Sequence, residues 1–434
     1  MKKFRFVSML LLIASIGLLF AGCEKEEPVS TTEAPPVIEE TAPPAPETIV
    51  FNDNGKSDFS LIRSEKATGY YLDTAKAVYQ KIKKNISEDI KLKDDWYGPL
   101  NPLEEGAHEI LLFSTNREES VQAMADLDIE GYLIRITDCK VVIVGSSPAA
   151  CNEALYHFFD HLIPDYTKDG VTEFPIGLEV KKEFSASDFD IGKALREGKT
   201  VCADFNIVFE YSGIENFRVS QGAATDGKYA YVAMKDGSGS EEVDKIVKID
   251  METWSVVATS ETFPLDHAND MTYDPELGQL IVVNMLNNAI SFIDAETLTL
   301  VKQMTLPFGT WATGYVEGAA RYAFLAYGTP SGLVITDRNF NPIFSAPHAD
   351  STGYIGQGMD ADSRFAYVPL SPNSGKNDNV IQIYDITTGE FLGRISVATK
   401  MESESMFHVG DDYYMHFNSN GSKIAKLEFY IRFE

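Results

Sequence analysis

The sequence predicts an α+β sandwich domain followed by an all-β five-bladed β-propeller, and three observations support this multidomain fold class. Between residues 51 and 190, apolar residues recur with a helical period in several stretches that alternate with short apolar strands. From about residue 200 the helical period disappears, and short strands bounded by Gly, Asp and Asn recur every 43–48 residues. The composition, 44% hydrophobic, supplies enough apolar material for a core in a chain of 434 residues.

The chain begins with a predicted export signal. Lys2, Lys3 and Arg5 precede an apolar run over 7–20, which is too short for a confident membrane span. The run ends in Leu19-Phe20-Ala21-Gly22-Cys23, which resembles the lipobox of bacterial lipoproteins. That resemblance implies removal of the signal peptide at 1–22 and attachment of lipid, with palmitate among its acyl chains, to Cys23. An ordinary signal peptide with an incidental cysteine is the alternative.

Residues 23–50 are rich in Pro, Glu and Thr and have no apolar period, which predicts an extended tether. We therefore expect a protein that is secreted across the cytoplasmic membrane and held by lipid at the extracytoplasmic face of the cell envelope. The formal net charge is −28, from 37 Lys and Arg against 65 Asp and Glu. A surface this acidic repels phosphate backbones, so nucleic acid is not expected as a partner.

The predicted α+β domain covers 51–190. From 71 to 86, apolar residues at spacings of 3, 4, 3 and 4 predict a helix, and HEILLF at 108–113 predicts a strand. A hairpin is expected over 132–144 and a helix from Pro148, since proline suits a first helical turn. The run from EILLFSTNREES to CNEALYHFFDHLI resembles the non-catalytic amino-terminal domain of bacterial hexosaminidases and α-glucuronidases. Because no barrel pattern follows, that resemblance implies no glycosidase activity here.

The predicted propeller covers 200–434. One strand recurs as KYAYVAM, QLIVVNM, RYAFLAY, RFAYVPL and YYMHFN, and the strand after it ends in an acidic turn. The acidic positions are Asp250, Asp294, Asp337, Asp385 and Glu428, at intervals of 44, 43, 48 and 43 residues. Strands repeated at this interval are typical of propeller blades. The fifth repeat lacks an outer strand, and FNIVFEY at 205–211 is expected to complete it and close the ring.

Polar side chains recur at the start of the first strand of each repeat, where a purely packed channel would have apolar ones. Gln221, His267, Gln357 and Glu404 lie 46, 90 and 47 residues apart, which predicts one shared position in four blades. Asn269, Asp270, Asp360 and Glu402 flank these positions, and Trp311 stands nearby in the third blade. The sequence therefore predicts a polar ligand site at one mouth of the channel.

Three interpretations of this polar ring stay open. The side chains could satisfy only water and backbone groups, bind a small polar ligand such as a sugar, or hold a divalent cation such as calcium through oxygen ligands. No resident cofactor is otherwise predicted.

The series QG, HxND, QG and ExE, with HANDMTYDPELGQLIVVN as its most specific segment, resembles the propeller of helveticin-like and teichoic-acid-biosynthesis-C-like proteins. That resemblance implies a secreted propeller of the cell envelope. We expect a binding or scaffold protein that recognises a glycan or a surface protein, rather than an enzyme. The alternative is a lyase or hydrolase acting on a polysaccharide, with His267 as general base beside Asp270 or Glu404.

Overall fold

A computed structural model describes residues 46–98, 102–185, 188–237, 243–285, 288–319, 321–374 and 377–434. The predicted signal peptide, Cys23 and nearly all of the tether lie outside these ranges. Within them, no helix has the length and the apolar character needed to cross a bilayer. The described part of the chain is mostly β, with 51% of its residues in strands and 14% in helices.

The amino-terminal part contains short strands and helices. Its strands are β1 (Thr48–Asp53), β2 (Ser60–Arg63), β3 (Lys91–Asp94), β4 (Glu109–Leu112), β5 (Gly131–Ile136), β6 (Lys140–Gly145), β7 (Thr167–Lys168), β8 (Val171–Pro175) and β9 (Glu179–Glu183). Its helices are α1 (Gly69–Asn85), α2 (Glu118–Asp126), α3 (Pro148–His157), a π-helical turn at Phe158–Leu162, α4 (Ile163–Asp165) and α5 (Ile191–Arg196). The helix expected at 71–86 and the hairpin expected at 132–144 are thus confirmed as α1 and as β5 with β6.

A mixed sheet in the order β3-β2-β4-β6-β5-β9 organises this part. Side chains on its strands alternate between two faces, so neighbouring residues enter different cores. Ile110 and Leu112 join the core that also contains buried residues of α1 and α3. Leu111 joins a smaller core with Ala123 of α2 on the opposite face. Helices therefore cover both faces of this sheet.

The strand β1 corrects the predicted end of the tether. It begins at Thr48 and pairs antiparallel with β8, so residues 48–50 belong to a small sheet in the order β1-β8-β7. Ile49 and Phe51 of β1 are buried in the first core, which explains why these residues are ordered as a strand. The expected tether therefore ends before Thr48.

The carboxy-terminal part is built from antiparallel strands. They are β10 (Val201–Tyr211), β11 (Phe217–Thr225), β12 (Tyr229–Asp236), β13 (Asp244–Asp250), β14 (Ser255–Thr259), β15 (Ala268–Asp274), β16 (Gln279–Asn284), β17 (Ala289–Asp294), β18 (Thr299–Thr305), β19 (Gly309–Val316), β20 (Arg321–Tyr327), β21 (Gly332–Thr336), β22 (Pro342–Ala346), β23 (Tyr354–Gly356), β24 (Asp360–Ala361), β25 (Phe365–Pro372), β26 (Asn379–Asp385), β27 (Phe391–Val397), β28 (Glu402–Val409), β29 (Asp412–Asn418) and β30 (Ser422–Ile431). Among the described strands, β11–β14, β15–β18 and β19–β22 each form a four-stranded sheet.

The remaining strands form one larger sheet in the order β23-β25-β26-β27-β10-β30-β29-β28, with β24 paired to β25. Its centre is β10, which pairs antiparallel with β30 from Val201 to Tyr211 and parallel with β27 at two positions. The predicted pairing of FNIVFEY with the last strand is therefore confirmed. Because β10 precedes all the repeats in sequence, this pairing joins the two ends of the repeat region.

The acidic turns behave as predicted in the first four repeats. Asp250, Asp294, Asp337 and Asp385 each accept a hydrogen bond through Oδ1 from a backbone N–H three or four residues later, at 2.7 to 3.1 Å. Such bonds are the usual reason for Asp in a turn. The fifth position is different, because Glu428 lies inside β30 opposite Asp204. No turn is needed there, since β30 continues along β10.

One described strand from each repeat lies beside the corresponding strands of its neighbours. We call β11, β15, β19, β24 and β28 the linking strands. The strand β11 contacts β15 and β28, β15 contacts β19, and β24 contacts both β19 and β28. These contacts and the four-stranded antiparallel sheets are compatible with a propeller-like fold. The linking strands also contain most of the residues that the sequence singled out, although His267 and Gln357 lie just before β15 and β24.

Candidate functional site

The pairing of each linking strand is interrupted at a comparable place. Register shifts occur between Ser220 and Ala223 in β11, Ala268 and Asp270 in β15, Thr310 and Ala312 in β19, and Ser403 and Ser405 in β28. In the remaining repeat the chain leaves the sheet between β23 and β24. Bulges of this kind re-aim side chains. We call the residues at the interruptions the bulge collar: Gln221, Asn269, Trp311, Gln357 and Glu404.

The bulge collar corrects the predicted spacing in the second repeat. Asn269, not His267, occupies the position equivalent to Gln221, and the intervals around the collar are 48, 42, 46 and 47 residues. His267 lies before β15 in a turn, with a φ of 65°. Its Nδ1 atom lies 3.0 Å from Lys235 Nζ. The interval from Gln221 to Asn269 is 48 residues, two longer than the interval of 46 that selected His267.

Asn269 holds neighbouring repeats together. It is 2% exposed, and its Nδ2 donates to the backbone carbonyls of Trp311, at 2.6 Å, and of Gln357. The side-chain amide of Asn269 belongs to the second repeat. It is therefore hydrogen-bonded to both the third repeat and the fourth. This side chain is used for structure and has no free donor for a ligand in this arrangement.

Asp270 lies next to Asn269 and is completely buried. Its Oδ1 accepts a hydrogen bond from Ser405 Oγ at 2.6 Å, and its Oδ2 accepts from the backbone N–H groups of Thr313 at 2.9 Å and Met359 at 3.0 Å. Burial raises the pKa of this carboxyl well above its usual range, although these bonds oppose the shift. Asp270 is thus an acceptor shared by three other repeats.

Gln221 and Glu404 are buried but incompletely bonded. Gln221 Nε2 donates to the Ser220 carbonyl, whereas Gln221 Oε1 and Glu404 Oε2 are buried without a hydrogen-bond partner in the described structure. Burial, and then the nearby Glu402 carboxylate, raise the pKa of Glu404 well above its usual range. Glu402 itself is exposed and accepts from Gln357 Nε2 at 3.2 Å. Buried polar atoms of this kind usually contact water or a ligand.

Trp311 is half-buried and stacks on two rings of the protein. Its ring centroid lies 5.6 Å from that of Tyr327 and 5.4 Å from that of His348, with interplanar angles of 5° and 9°. These contacts reduce the aromatic surface available for a sugar. They also explain why the third repeat departs from the polar pattern, because an aromatic stack fills that place.

A space beside the linking strands lies at their other, carboxyl ends. A cavity of about 430 Å³, which we call the carboxyl-end pocket, is lined by the ends of all five linking strands and the turns after them. The lining residues are 223–227, 271–273, 275, 315, 317–318, 360–361 and 406–410. Asp270 precedes Met271 of this lining, so the shared carboxylate lies between the bulge collar and the pocket.

A histidine between two carboxylates lies in the wall of this pocket. His408 Nδ1 is 2.6 Å from Asp360 Oδ2, and His408 Nε2 is 3.5 Å from Glu317 Oε1. The Asp360 and Glu317 carboxylates raise the pKa of His408 to about 9, although burial opposes the shift. The imidazole also stacks on Tyr413, at a centroid distance of 5.5 Å. It is therefore a charged imidazolium at neutral pH.

No protein-family profile and no curated protein matches the chain. Two of the solved structures that resemble it illustrate how weak the likeness is. The hydrazine synthase of Kuenenia stuttgartiensis aligns over 47% of this chain and 56% of its own, at 10% identity and a TM-score of 0.31. A Bacteroides fragilis protein described as exported aligns over 53% of this chain and 95% of its own, at 9% identity and a TM-score of 0.32. The chain thus spans little more than half of the hydrazine synthase, and neither likeness bears on function.

The sequence predicted two further arrangements, a divalent-cation site and a general base at His267 beside Asp270 or Glu404. Among the described residues, no group of three or more His, Cys, Asp or Glu side chains is arranged to hold a metal ion. His267 contacts Lys235, whereas Asp270 takes its hydrogen bonds from Ser405, Thr313 and Met359. The structure therefore uses Asp270 for bonds between repeats rather than as a partner of the predicted base.

Sequence reasoning singled out Asp360 but missed Asp226, Glu317 and His408, the other charged residues of the carboxyl-end pocket. Asp226 and Glu317 each precede a glycine with a positive φ, Gly227 at 90° and Gly318 at 71°, in the turns after β11 and β19. An acidic residue before a turn glycine at the end of the first strand of a repeat is a signal that could have pointed to this end. His408 has no such signal, because only the fold brings it to Asp360 and Glu317.

Proposed function

We propose that the chain is a lipid-anchored binding or scaffold protein of the bacterial cell envelope, whose five-bladed propeller takes a polar ligand at a channel mouth. The ligand is a glycan or a group on a partner protein. The observation that carries this proposal is the carboxyl-end pocket, because the ends of all five linking strands line one cavity. Its volume is within the range usual for small-ligand sites.

The propeller interpretation rests on the closed series of contacts among the linking strands. Three blades are the four-stranded sheets, the fourth is β23 to β27, and the fifth consists of β28, β29, β30 and β10. In this arrangement β10 closes the ring by supplying the outer strand of the last blade. Closure leaves no inner sheet edge exposed to solvent, which is a recurring advantage of propellers.

The structure favours the carboxyl-end pocket over the opposite mouth, where the sequence placed the ligand. At the bulge collar, Asn269 bonds to backbone groups and Trp311 stacks on Tyr327 and His348. We assign the unpaired oxygens of Gln221 and Glu404 to ordered water, a common role for polar atoms beside a propeller channel. The ligand site is therefore at the other end of the linking strands.

The binding proposal is tested on a glycan array that displays bacterial envelope and plant polysaccharides, probed with the fluorescently labelled chain. Glu317 is exposed at the pocket wall, so Glu317→Trp adds bulk there and is expected to abolish the signals of the parent. Glu210→Trp is the matched control, because the two side chains are 59% and 60% exposed and each contacts one basic residue. Identical signals for Glu317→Trp and the parent would exclude the pocket as the site.

The anchor proposal has a separate test. The lipobox resemblance predicts that the parent fractionates with membranes and incorporates labelled palmitate. Cys23→Ser removes the acceptor sulfur and should release the protein to the soluble fraction, whereas Cys139→Ser, at a half-buried thiol, should not. Labelling that persists in Cys23→Ser would contradict the anchor. The result does not depend on whether the pocket binds a ligand.

A further inference from the structure

The carboxyl-end pocket has an excess of negative charge. Its described lining contains the carboxylates of Asp226, Glu317 and Asp360, and a single basic side chain, His408. No lysine or arginine is among the described lining residues. The protonated His408 balances one of the three carboxylates, so the lining as a whole remains anionic and disfavours an anionic ligand.

The carboxylates differ in how much bonding capacity they have left. Asp360 is bonded to His408. Asp226 Oδ1 accepts from the backbone N–H groups of Lys228 and Tyr229, and its Oδ2 accepts from Tyr231 Oη at 2.6 Å. Glu317 is different, because its side chain is 59% exposed and its contact with His408 is long, at 3.5 Å. Glu317 is thus the carboxylate best placed to contact a ligand.

The rest of the lining suits an organic cation. Tyr273 and Tyr315 are half-buried and line the pocket, as do the buried residues Met271, Met406 and Phe407. Aromatic faces attract ammonium groups, and the attraction strengthens where water is displaced. A bare divalent ion would need several free oxygens at short range. Both oxygens of Asp226 and Oδ2 of Asp360 are already bonded, and the described residues contain no group of acidic or histidine side chains arranged for a metal.

We propose that the carboxyl-end pocket recognises an organic ammonium group, such as that of an amino sugar, between the Glu317 carboxylate and the Tyr273 and Tyr315 rings. This inference rests on the proposed binding function and names the charge of its ligand. The acidic lining then attracts the ammonium group at a distance, and the tyrosine rings contact it once it is bound. A neutral sugar of the same shape gains only the contact.

The test uses three sugars that share one ring and differ in charge. Isothermal titration of the full chain with D-glucosamine, D-glucose and D-glucuronate, at about pH 6 and low salt, compares cation, neutral molecule and anion. We expect glucosamine to bind about ten-fold more tightly than glucose, and glucuronate to bind most weakly. Added sodium chloride should weaken glucosamine binding and leave glucose unchanged.

Substitutions locate the effect. Glu317→Gln keeps the size of the side chain and removes its charge, so it should weaken glucosamine binding about three- to ten-fold and leave glucose binding unchanged. Glu210→Gln, at an equally exposed carboxylate outside the pocket, should change neither. Near-ultraviolet circular dichroism of each variant shows whether its fold is intact.

The outcomes separate this inference from the function on which it rests. Glucose binding as tight as glucosamine binding, and abolished by Glu317→Trp, would overturn the cation preference and keep a polar-ligand site. Glucosamine binding that Glu317→Gln leaves intact would also overturn the inference. If glucosamine and both other sugars all fail to bind, the cation proposal is wrong, and an array without Glu317-dependent signals would then remove the pocket function too.

Discussion

Ser405 Oγ donates a hydrogen bond of 2.6 Å to Asp270 Oδ1, although 135 residues separate them in sequence. The remaining oxygen of Asp270 accepts two backbone N–H groups from two further repeats. A buried N–H left without an acceptor costs about 1–3 kcal/mol. This carboxylate therefore satisfies donors that the bulges would otherwise leave unpaired, and it links four repeats through one side chain.

The first prediction separates the acceptor role of Asp270 from its charge. Asp270→Asn keeps one oxygen for the two backbone N–H groups, and its new amide can face Ser405, whose hydroxyl can rotate to accept. We expect a loss of less than about 1 kcal/mol in the free energy of unfolding. Asp270→Ala leaves both N–H groups unpaired and should cost about 3 kcal/mol or more.

Urea unfolding followed by fluorescence measures the free energy of unfolding of both Asp270 variants. Equal destabilisation by Asn and Ala would show that the charge, rather than the acceptor geometry, matters at this position. The small loss of stability expected for Asp270→Asn is the stricter test of the prediction. Removal of a buried charge often costs little when the hydrogen bonds are kept.

The second prediction concerns the closing strand β10. Ala203 lies opposite Val397 of β27 and Phe429 of β30, so β10 is internal to its sheet at this residue. Ala203→Pro removes a ladder donor there and should cost about 3 kcal/mol or more, or prevent folding. Val257→Pro is the control, because Val257 is exposed at a bulge in the outer strand β14. Limited proteolysis should cut the first variant rapidly and the second at the parent rate.

The repeat architecture could be predicted because its signals are local. Asp250 and Asp294 mark turns through hydrogen bonds to residues three positions later, so the same short pattern recurs wherever the turn recurs. The strand FNIVFEY was recognisable because the last repeat lacked an outer strand. Glu428 shows the limit of this reasoning, since its acidic side chain matches the pattern but its strand continues along β10.

The site could be predicted only in part, because it depends on register and on contacts distant in sequence. Spacing identified Gln221, Gln357 and Glu404, which lie at the interruptions of their strands. It selected His267 instead of Asn269, because the chain between the first two interruptions is two residues longer than a uniform interval of 46 allows. The carboxyl-end pocket was not predicted, because its lining residues lie at the ends of strands and in turns that only the fold brings together.

The third prediction uses the buried Glu404. Because burial raises its pKa in the folded protein, the folded state holds this proton more tightly than the unfolded chain does. Stability is therefore lost as pH rises above about 4.5, where the unfolded glutamic acid ionises. Glu404→Gln removes this loss, so the variant should match the parent near pH 4 and exceed it by about 1–3 kcal/mol near pH 8.

Denaturant unfolding at the two pH values measures the difference for Glu404→Gln. The control Glu210→Gln should differ little from its parent at either pH, because Glu210 is exposed and paired with Lys423. A parent that is as stable as Glu404→Gln near pH 8 would show that this carboxyl ionises without cost, through water or a bound cation.

The fourth prediction concerns two histidines that titrate at opposite extremes. Asp360 and Glu317 raise the pKa of His408 to about 9, whereas burial lowers the pKa of His416 to about 3. In a nitrogen-edited NMR titration of the histidine side chains, one imidazole should remain protonated near pH 8 and another should remain neutral near pH 5. His408→Gln and His416→Gln assign the two signals.

The same shift of His408 predicts how stability depends on pH. Because its folded pKa lies above the unfolded value of about 6.5, the contacts with Asp360 and Glu317 contribute fully below about pH 6.5. That contribution is lost as pH rises through about 9. The parent should therefore be more stable than His408→Gln near pH 6, by about 2–3 kcal/mol, and the two should converge above about pH 9. A constant difference across this range would mean that His408 contributes by its stacking on Tyr413 rather than by its charge.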